Sequence, residues 1–263
     1  MKKTITYIIL SLMVLCATAQ ELYIGSFYVT TTDEEKLLGD GSDKWANRMP
    51  VICDMLSFEQ PDVVGLQSLT TSQLTSIVSR MKSTHAPAGD ILYNKSALTL
   101  LDKGAIEDMP EGSTCTWAKL QKGERAFCVF NVCFSADASA DGTSATRLIS
   151  AIAEVNTESL PCFVVGNTGS SEGSTVYTRI NFRYPDSYTK AAVISAEYGT
   201  VNNFDLAANH GSERYDFVFV PRTATVQAYG QLQYGYYTQN TDGTYKRRLP
   251  SAHFPVMAKV TLQ

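Results

Sequence analysis

The chain has few residues through which acid–base chemistry at neutral pH would run. It contains three histidines, His85, His210 and His253, and histidine is the side chain that most readily exchanges a proton in that range. His253 lies in RLPSAHFPV, Arg248 to Val256, between a small-residue pair and an apolar run. That setting suits a catalytic group at the mouth of a strand, and equally a buried packing residue. His210, in Asn209-His210-Gly211-Ser212, precedes the aspartate-bearing run RYDFVFV, Arg214 to Val220, and is a candidate ligand contact at the same end of the fold. His85, followed by Ala86-Pro87, reads as a loop residue. Close to His253, Tyr229, Tyr234, Tyr236, Tyr237 and Tyr245 precede Lys246, Arg247 and Arg248. Aromatic faces beside basic tips suit a sugar, a base or a phosphate, while the plainer reading is an edge strand and loop.

The elements that must position these residues follow from periodicity. Glu21–Thr30 is β-branched and aromatic, as a strand requires, and Thr31–Lys44 is polar and loop-like. Trp45, Met49, Ile52, Met55 and Leu56 recur at helical spacing, with Pro50 expected in the first turn. Val63–Gln67 reads as a buried strand and Ser72–Met81 as a helix. Thr116–Leu120 and Ala126–Phe134 flank a Gln121–Glu124 turn as a hairpin, with shorter strands expected at Asp90–Tyr93 and Thr99–Leu101. A helix over Ser144–Val155 precedes strands at Cys162–Val165, Arg214–Val220, Thr225–Leu232 and Pro255–Leu262. Strands interleaved with helices, without an internal repeat or a linker, predict one α/β domain of two packed sheets flanked by helices.

Bulk properties narrow the partners. Met1-Lys2-Lys3, the apolar run Thr4–Cys16 and Ala17-Thr18-Ala19 form a signal-peptide pattern. Residues 1–19 are thus expected to be removed for export to a secreted or periplasmic location, leaving a domain over 20–263. The apolar run is short for a membrane span, so no transmembrane segment is expected in the mature chain. A net charge of −4 provides no basic field for nucleic acid, which makes duplex DNA an unlikely substrate. Past residue 19 the cysteines are Cys53, Cys115, Cys128, Cys133 and Cys162. An odd number without Cys-x-x-Cys spacing argues against a metal knuckle or a dense disulfide scaffold. Buried free thiols are the plain reading, with one disulfide as the alternative.

Eight segments in order then resemble the endonuclease/exonuclease/phosphatase superfamily of deoxyribonuclease-I-like phosphoesterases. They are GSFYV, the W-x-N-R that opens the first helix, PDVVGLQ, TWAKL, VFNVCF, VVGNTGS, RYDFVFV and PSAHFPV, together covering roughly Leu22 to Val260. The resemblance implies a four-layer α/β/β/α sandwich. It also implies hydrolysis of phosphodiesters or phosphomonoesters by water activated beside one or two divalent cations, which need hard carboxylate ligands.

The frameworks of those motifs are present while most of their chemical residues are replaced. Tyr28 stands at the family's Asn after the first strand, and Ser68 at its metal-binding Glu. Cys133 stands at its phosphate-contacting His, Asn167 at its water-activating Asp, Ala252 at the Asp before the final His, and Ser113 at its Arg. Asp216 and His253 match the family's aspartate and final histidine, which the resemblance makes a pair, and Asn131 and Gln67 are also retained.

An amide cannot serve as a general base near neutral pH, and each lost transition-state group typically costs about 10²–10⁴ in rate. The expected protein is therefore a pseudoenzyme of this fold, without a cofactor, that binds a small anionic ligand, a glycan or a protein partner in the ancestral cleft. Its remnant site comprises His253, Asp216, Asn167 and Asn131, and its ligand contacts are Tyr28, Ser68, Cys133, His210 and Arg248. The alternative is a divergent phosphoesterase using Mg or Mn, which recruits Asp216, His253 and Asp137 or Asp141. A Cys133–His253 nucleophile is a further, lesser possibility, set against the position of Cys133 inside an apolar strand.

Overall fold

The computed structural model describes residues 19–136, 142–196, 198–206 and 211–262. The strands are β1 (Gln20–Tyr28), β2 (Val63–Gln67), β3 (His85–Ala88), β4 (Ile91–Asn94), β5 (Thr99–Ala105), β6 (Thr114–Lys122), β7 (Arg125–Cys133) and β8 (Cys162–Asn167). They continue with β9 (Val193–Ser195), β10 (Asp216–Phe219), β11 (Thr225–Gln231), β12 (Tyr236–Gln239), β13 (Tyr245–Arg248) and β14 (Val256–Leu262). The helices are α1 (Thr32–Leu38), α2 (Trp45–Glu59), α3 (Thr71–Met81), α4 (Thr143–Val155), α5 (Thr175–Arg183) and α6 (Ser187–Lys190). No helix among the described residues is long and apolar enough to cross a membrane.

Two large sheets form the body. One has the order β3-β4-β2-β1-β14-β11-β9 and the other β10-β8-β7-β6-β5, while β12 and β13 form a separate hairpin. Between the sheets lie Ile24, Val63, Phe127, Val129, Phe163, Val165, Val218 and Val256. The outer face of the first sheet is covered by α2 and α3 through Ile52, Met55, Leu56, Ile77 and Met81. The outer face of the second is covered by α4 and α5 through Leu148, Ile152, Val176 and Ile180. The order helix, sheet, sheet, helix is the four-layer sandwich that the sequence predicted. It results because the central strands, such as β2, β7 and β8, present apolar side chains on both faces and so must be covered twice.

The structure corrects three local expectations. Thr31–Lys44 is not all loop, because Thr31 and Glu34 close a reciprocal capping box that starts α1. Pro50 lies a turn deeper in α2 than expected. The Trp45 N–H is taken up by the Glu35 carboxylate at 3.1 Å, so the helix starts at Trp45. His85 is a buried residue of β3, its Nε2 bonded to the Pro61 carbonyl at 2.9 Å, and burial holds its pKa below the ordinary 6.5.

Strand direction brings the candidate residues to one rim. β1 and β2 run parallel, as do β7 and β8, so Tyr28, Gln67, Cys133 and Asn167 all sit at C-terminal strand ends. β10 is antiparallel to β8 and pairs Asp216 with Asn167. β14 is antiparallel to β1, which sets the His253 loop beside Tyr28. Two glycines permit the approach. A Cβ on Gly65 would lie 2.3 Å from Asn131 Oδ1 of the facing sheet, and one on Gly166, at φ +144°, would lie 1.9 Å from the Val132 carbonyl.

Candidate functional site

On one side of the rim lies a polar relay. His253 Nδ1 is 2.7 Å from Asp216 Oδ2, and Asp216 Oδ1 accepts from Asn167 Nδ2 at 2.9 Å. The Asn167 carbonyl oxygen accepts the Gly169 N–H at 2.9 Å, which fixes the amide orientation. Asp216 is fully buried, so both of its oxygens need donors, and the imidazole and amide supply them. The expected Asp216–His253 pair is present, and Asn167 extends it. An imidazole that gives Nδ1–H to a carboxylate presents Nε2 as an acceptor when neutral.

The segment Thr200–Asn203 is fastened across this relay. Asn202 N and Asn203 N donate to the Ala252 carbonyl at 2.7 and 2.9 Å, and Thr200 Oγ1 accepts from Tyr215 N at 2.9 Å. A cavity of about 730 Å³ opens here, lined among others by Tyr28, Cys133, Asn167, Asn202, Asp205, Glu213, Tyr215 and His253. That volume lies within the range of small-molecule sites.

On the other side of the rim, Tyr28, Glu34 and Ser68 form a hydrogen-bonded network. The Tyr28 ring stacks on the His253 ring with centroids 4.0 Å apart and planes 14° from parallel. The Tyr28 hydroxyl donates to Glu34 Oε1. Glu34 Oε2 accepts from Ser68 Oγ at 2.5 Å, Thr31 N at 2.7 Å and Thr31 Oγ1 at 2.9 Å. Desolvation alone would raise the Glu34 pKa, but the bonds from Ser68, Tyr28 and Thr31 outweigh it and hold the carboxyl below 4.5. Ser68 itself adopts φ +46°, a left-handed conformation rare for a residue with a Cβ. Ser68 lines a second cavity of about 480 Å³ with Thr31, Asp90, Thr116 and Cys133.

Beneath both cavities, Asn131 joins the two sheets. Its Nδ2 donates to the Leu66 carbonyl at 2.9 Å and its Oδ1 accepts from Gln67 Nε2 at 2.6 Å. Behind the Glu34 side, Arg48 is fully buried. It donates to Glu35 Oε2 at 2.6 Å and to the carbonyls of Val29, Thr30 and Pro250 at 2.8, 3.0 and 2.9 Å. One guanidinium thereby fastens the chain after Tyr28 to the chain before His253.

The donor set does not fit a hard divalent cation. The Asp216 oxygens serve Asn167 and His253, and those of Glu34 carry four hydrogen bonds. Burial raises the Asp90 carboxyl above 3.8, against hydrogen bonds from Thr116 and Asn131. Such a cation needs several oxygen ligands converging on one point, and these three carboxylates are each engaged with separate partners. Among the described residues no three His, Cys, Asp or Glu side chains gather at metal-binding spacing.

Of the sequence-predicted residues, His253, Asp216, Asn167, Tyr28 and Cys133 come together, and Asn131 lies directly below. Ser68 belongs to the second cavity. Arg248 is a correction. Its guanidinium is turned into the protein, where it binds Asp40 at 2.5 Å and Asp43 at 3.2 Å and so ties β13 to the end of α1 instead of reaching the cleft. The tyrosines before Arg248 also divide: Tyr229 of β11 is buried in the core, while Tyr237 and Tyr245 of the β12–β13 hairpin face solvent. The Cys133 nucleophile fails because burial pushes its thiol up to about 12, leaving almost no thiolate at neutral pH. His210, Asp137 and Asp141 lie outside the described residues. The five cysteines from Cys53 to Cys162 are free thiols.

Sequence reasoning missed Glu34, Asn202 and Glu213. The Thr31-x-x-Glu34 spacing is a capping-box signal that marks the helix, but nothing local shows that the same carboxylate reaches Ser68.

No protein-family model matches the chain, and no curated protein matches it. Solved structures do. An endonuclease/exonuclease/phosphatase family protein of Bacteroides thetaiotaomicron superposes with a TM-score of 0.84 at 23% identity, over 93% of this chain and 99% of that one. A mannosyl-6-phosphatase of the same organism superposes with a TM-score of 0.80 at 23% identity, over 91% and 99%. An endonuclease/exonuclease/phosphatase of Bacteroides vulgatus gives 0.75 at 19% identity, over 93% and 100%. At these identities the likeness is one of fold: the chain has the deoxyribonuclease-I-like sandwich of endonuclease/exonuclease/phosphatase proteins.

Proposed function

We propose that this protein is a non-hydrolytic member of the endonuclease/exonuclease/phosphatase group, acting outside the cytoplasm, whose cleft binds a ligand without turning it over. One observation carries the reading: the Tyr28–Glu34–Ser68 network. Where such hydrolases hold a cation with a carboxylate after Gly-Leu-Gln, this chain has a serine whose hydroxyl is spent on Glu34. The Glu34 carboxylate carries four hydrogen bonds, three of them on Oε2, and Tyr28 lies flat against His253. The amide of Asn167 cannot take a proton from water, and Ala252 brings no charge. What remains is a rigid polar floor with an accessible cavity, an arrangement suited to holding a ligand.

The test is turnover. With Mg²⁺ or Mn²⁺, p-nitrophenyl phosphate, bis(p-nitrophenyl) phosphate and mannose 6-phosphate are each expected to remain intact beyond the background rate. Hydrolysis above background that His253→Ala abolishes would overturn the reading in favour of a phosphoesterase.

A further inference from the structure

The cavity beside His253 carries a charge pattern at odds with phosphate. Its described lining contains Asp205 and Glu213 but no lysine or arginine. The stretches 137–141 (DASAD) and 207–210 (AANH), adjoining the lining residues Ala136 and Gly211, contain no lysine or arginine either. Among the described lining residues the one basic side chain is His253, whose Nδ1 is committed to Asp216. Phosphate sites are built from arginine, lysine, metal ions or helix N-termini, and carboxylates at the mouth repel a dianion.

A second observation points to an acceptor on the ligand. Asn202 is 3% exposed and lines the cavity, yet its Nδ2 has no hydrogen-bond partner, while its Oδ1 accepts from Phe204 N at 2.9 Å. Buried amide donors are almost always paired. Opposite in character are Glu213 and His253. The Glu213 carboxylate takes the Tyr215 hydroxyl at 3.2 Å and Ser171 at 3.4 Å, and retains lone pairs for further donors. His253 Nε2 is an acceptor when the ring is neutral. The lining therefore offers an unused donor, carboxylate and imidazole acceptors, and the aromatic ring of Tyr215.

Adjacent hydroxyls on a sugar ring both give and accept hydrogen bonds, and the C–H face of the ring packs on aromatics. We infer that the cavity above the Asn167–Asp216–His253 relay binds an uncharged, hydroxyl-rich sugar unit, and discriminates against its phosphorylated form. This rests on the reading of the cleft as a binding site without turnover.

The experiment uses the full mature chain on an array of neutral oligosaccharides printed beside 6-phosphorylated counterparts, followed by calorimetry of the hits and of inorganic phosphate. Neutral sugars are expected to bind, phosphorylated counterparts more weakly, and inorganic phosphate not at all. Asn202→Ala and Glu213→Ala should each weaken binding about tenfold, the loss of one hydrogen bond to the ligand. Glu213 is exposed, so its variant is expected to fold even if Asn202→Ala does not. Tyr237→Ala with Tyr245→Ala, on the remote hairpin, should leave affinity unchanged. Loss of binding in that hairpin double variant would place the site elsewhere and overturn the inference. So would a folded protein that binds no neutral sugar. Tighter binding of the phosphorylated sugar without hydrolysis overturns this inference alone. Tighter binding with His253-dependent hydrolysis overturns the non-hydrolytic reading as well.

Discussion

At the His253 side of the cleft, buried polar groups are paired in a line beside a cavity of about 730 Å³, whereas at the Glu34 side a carboxylate and a tyrosine ring occupy the rim beside a smaller cavity of about 480 Å³. Both sides lie at the ends of parallel strand pairs, β1–β2 on one sheet and β7–β8 on the other. Both carry replacements of the residues that the resemblance associates with hydrolysis. They differ in how the replacement is accommodated. Asn167 is close in shape to an aspartate and keeps a hydrogen bond to Asp216, so the relay stays intact and the cavity open. Ser68 is much shorter than a glutamate, and the space is taken by a carboxylate from α1 and by a tyrosine ring. An isosteric exchange changes the chemistry and preserves the geometry; a truncating exchange invites neighbours in.

Arg48 is the anchor common to both sides, and removing it should have the largest effect. Arg48→Ala removes the cation beside the buried Glu35 carboxylate, which keeps only the Trp45 N–H, and leaves the Val29 and Pro250 carbonyls without the guanidinium donor. It is expected to cost about 3–5 kcal/mol, measured by urea denaturation, and to loosen Tyr28 and His253 together. A cost below about 1 kcal/mol would mean that the two sides are held independently.

Asn167→Asp attacks the His253 side. It exchanges a donor for a second carboxylate against Asp216 and should cost about 1–3 kcal/mol at pH 7. Two facing carboxylates share a proton, so the pair titrates with a raised folded pKa. Stability is then present at low pH and lost as pH rises through that pKa. The variant should recover toward wild type near pH 4, and a penalty independent of pH would show that the amide is not paired as described.

Glu34→Gln attacks the Glu34 side and should have the smallest effect, about 1 kcal/mol at pH 7, since an amide keeps part of the network. The folded pKa of Glu34 is held below 4.5, so its contribution is fully present above that value and lost as pH falls through the folded pKa. The wild type should therefore lose stability more steeply below about pH 4.5 than the variant. Parallel acid limbs would remove Glu34 from the account.

The sequence was informative where periodicity and motif order spoke. The core strands β2, β6, β7, β8 and β14, the helices α3 and α4, and the His253–Asp216 pairing are all legible there, because apolar alternation and motif spacing are local properties. Arg248 and His85 were misplaced for the opposite reason: a basic tip beside tyrosines and a histidine before Ala-Pro look the same locally whether they face solvent or the interior. Glu34 shows the limit most clearly. Its segment read as loop although Thr31-x-x-Glu34 has capping-box spacing, and nothing local marked its bond to Ser68, across 34 residues of chain.

By itself the sequence determined the two packed sheets flanked by helices and, through its resemblance, that Ser68, Asn167 and Ala252 stand where that pattern has carboxylates. Only the tertiary structure decided the size of the cavity on each side of the rim, that Asn202 carries a donor without a partner, and that the described lining carries carboxylates and no lysine or arginine. Local pattern sets which face of an element is buried; the charge and volume of a cavity depend on side chains brought together from α1, β1, β8, β10 and the loops between them, whose distances no spacing in the chain encodes.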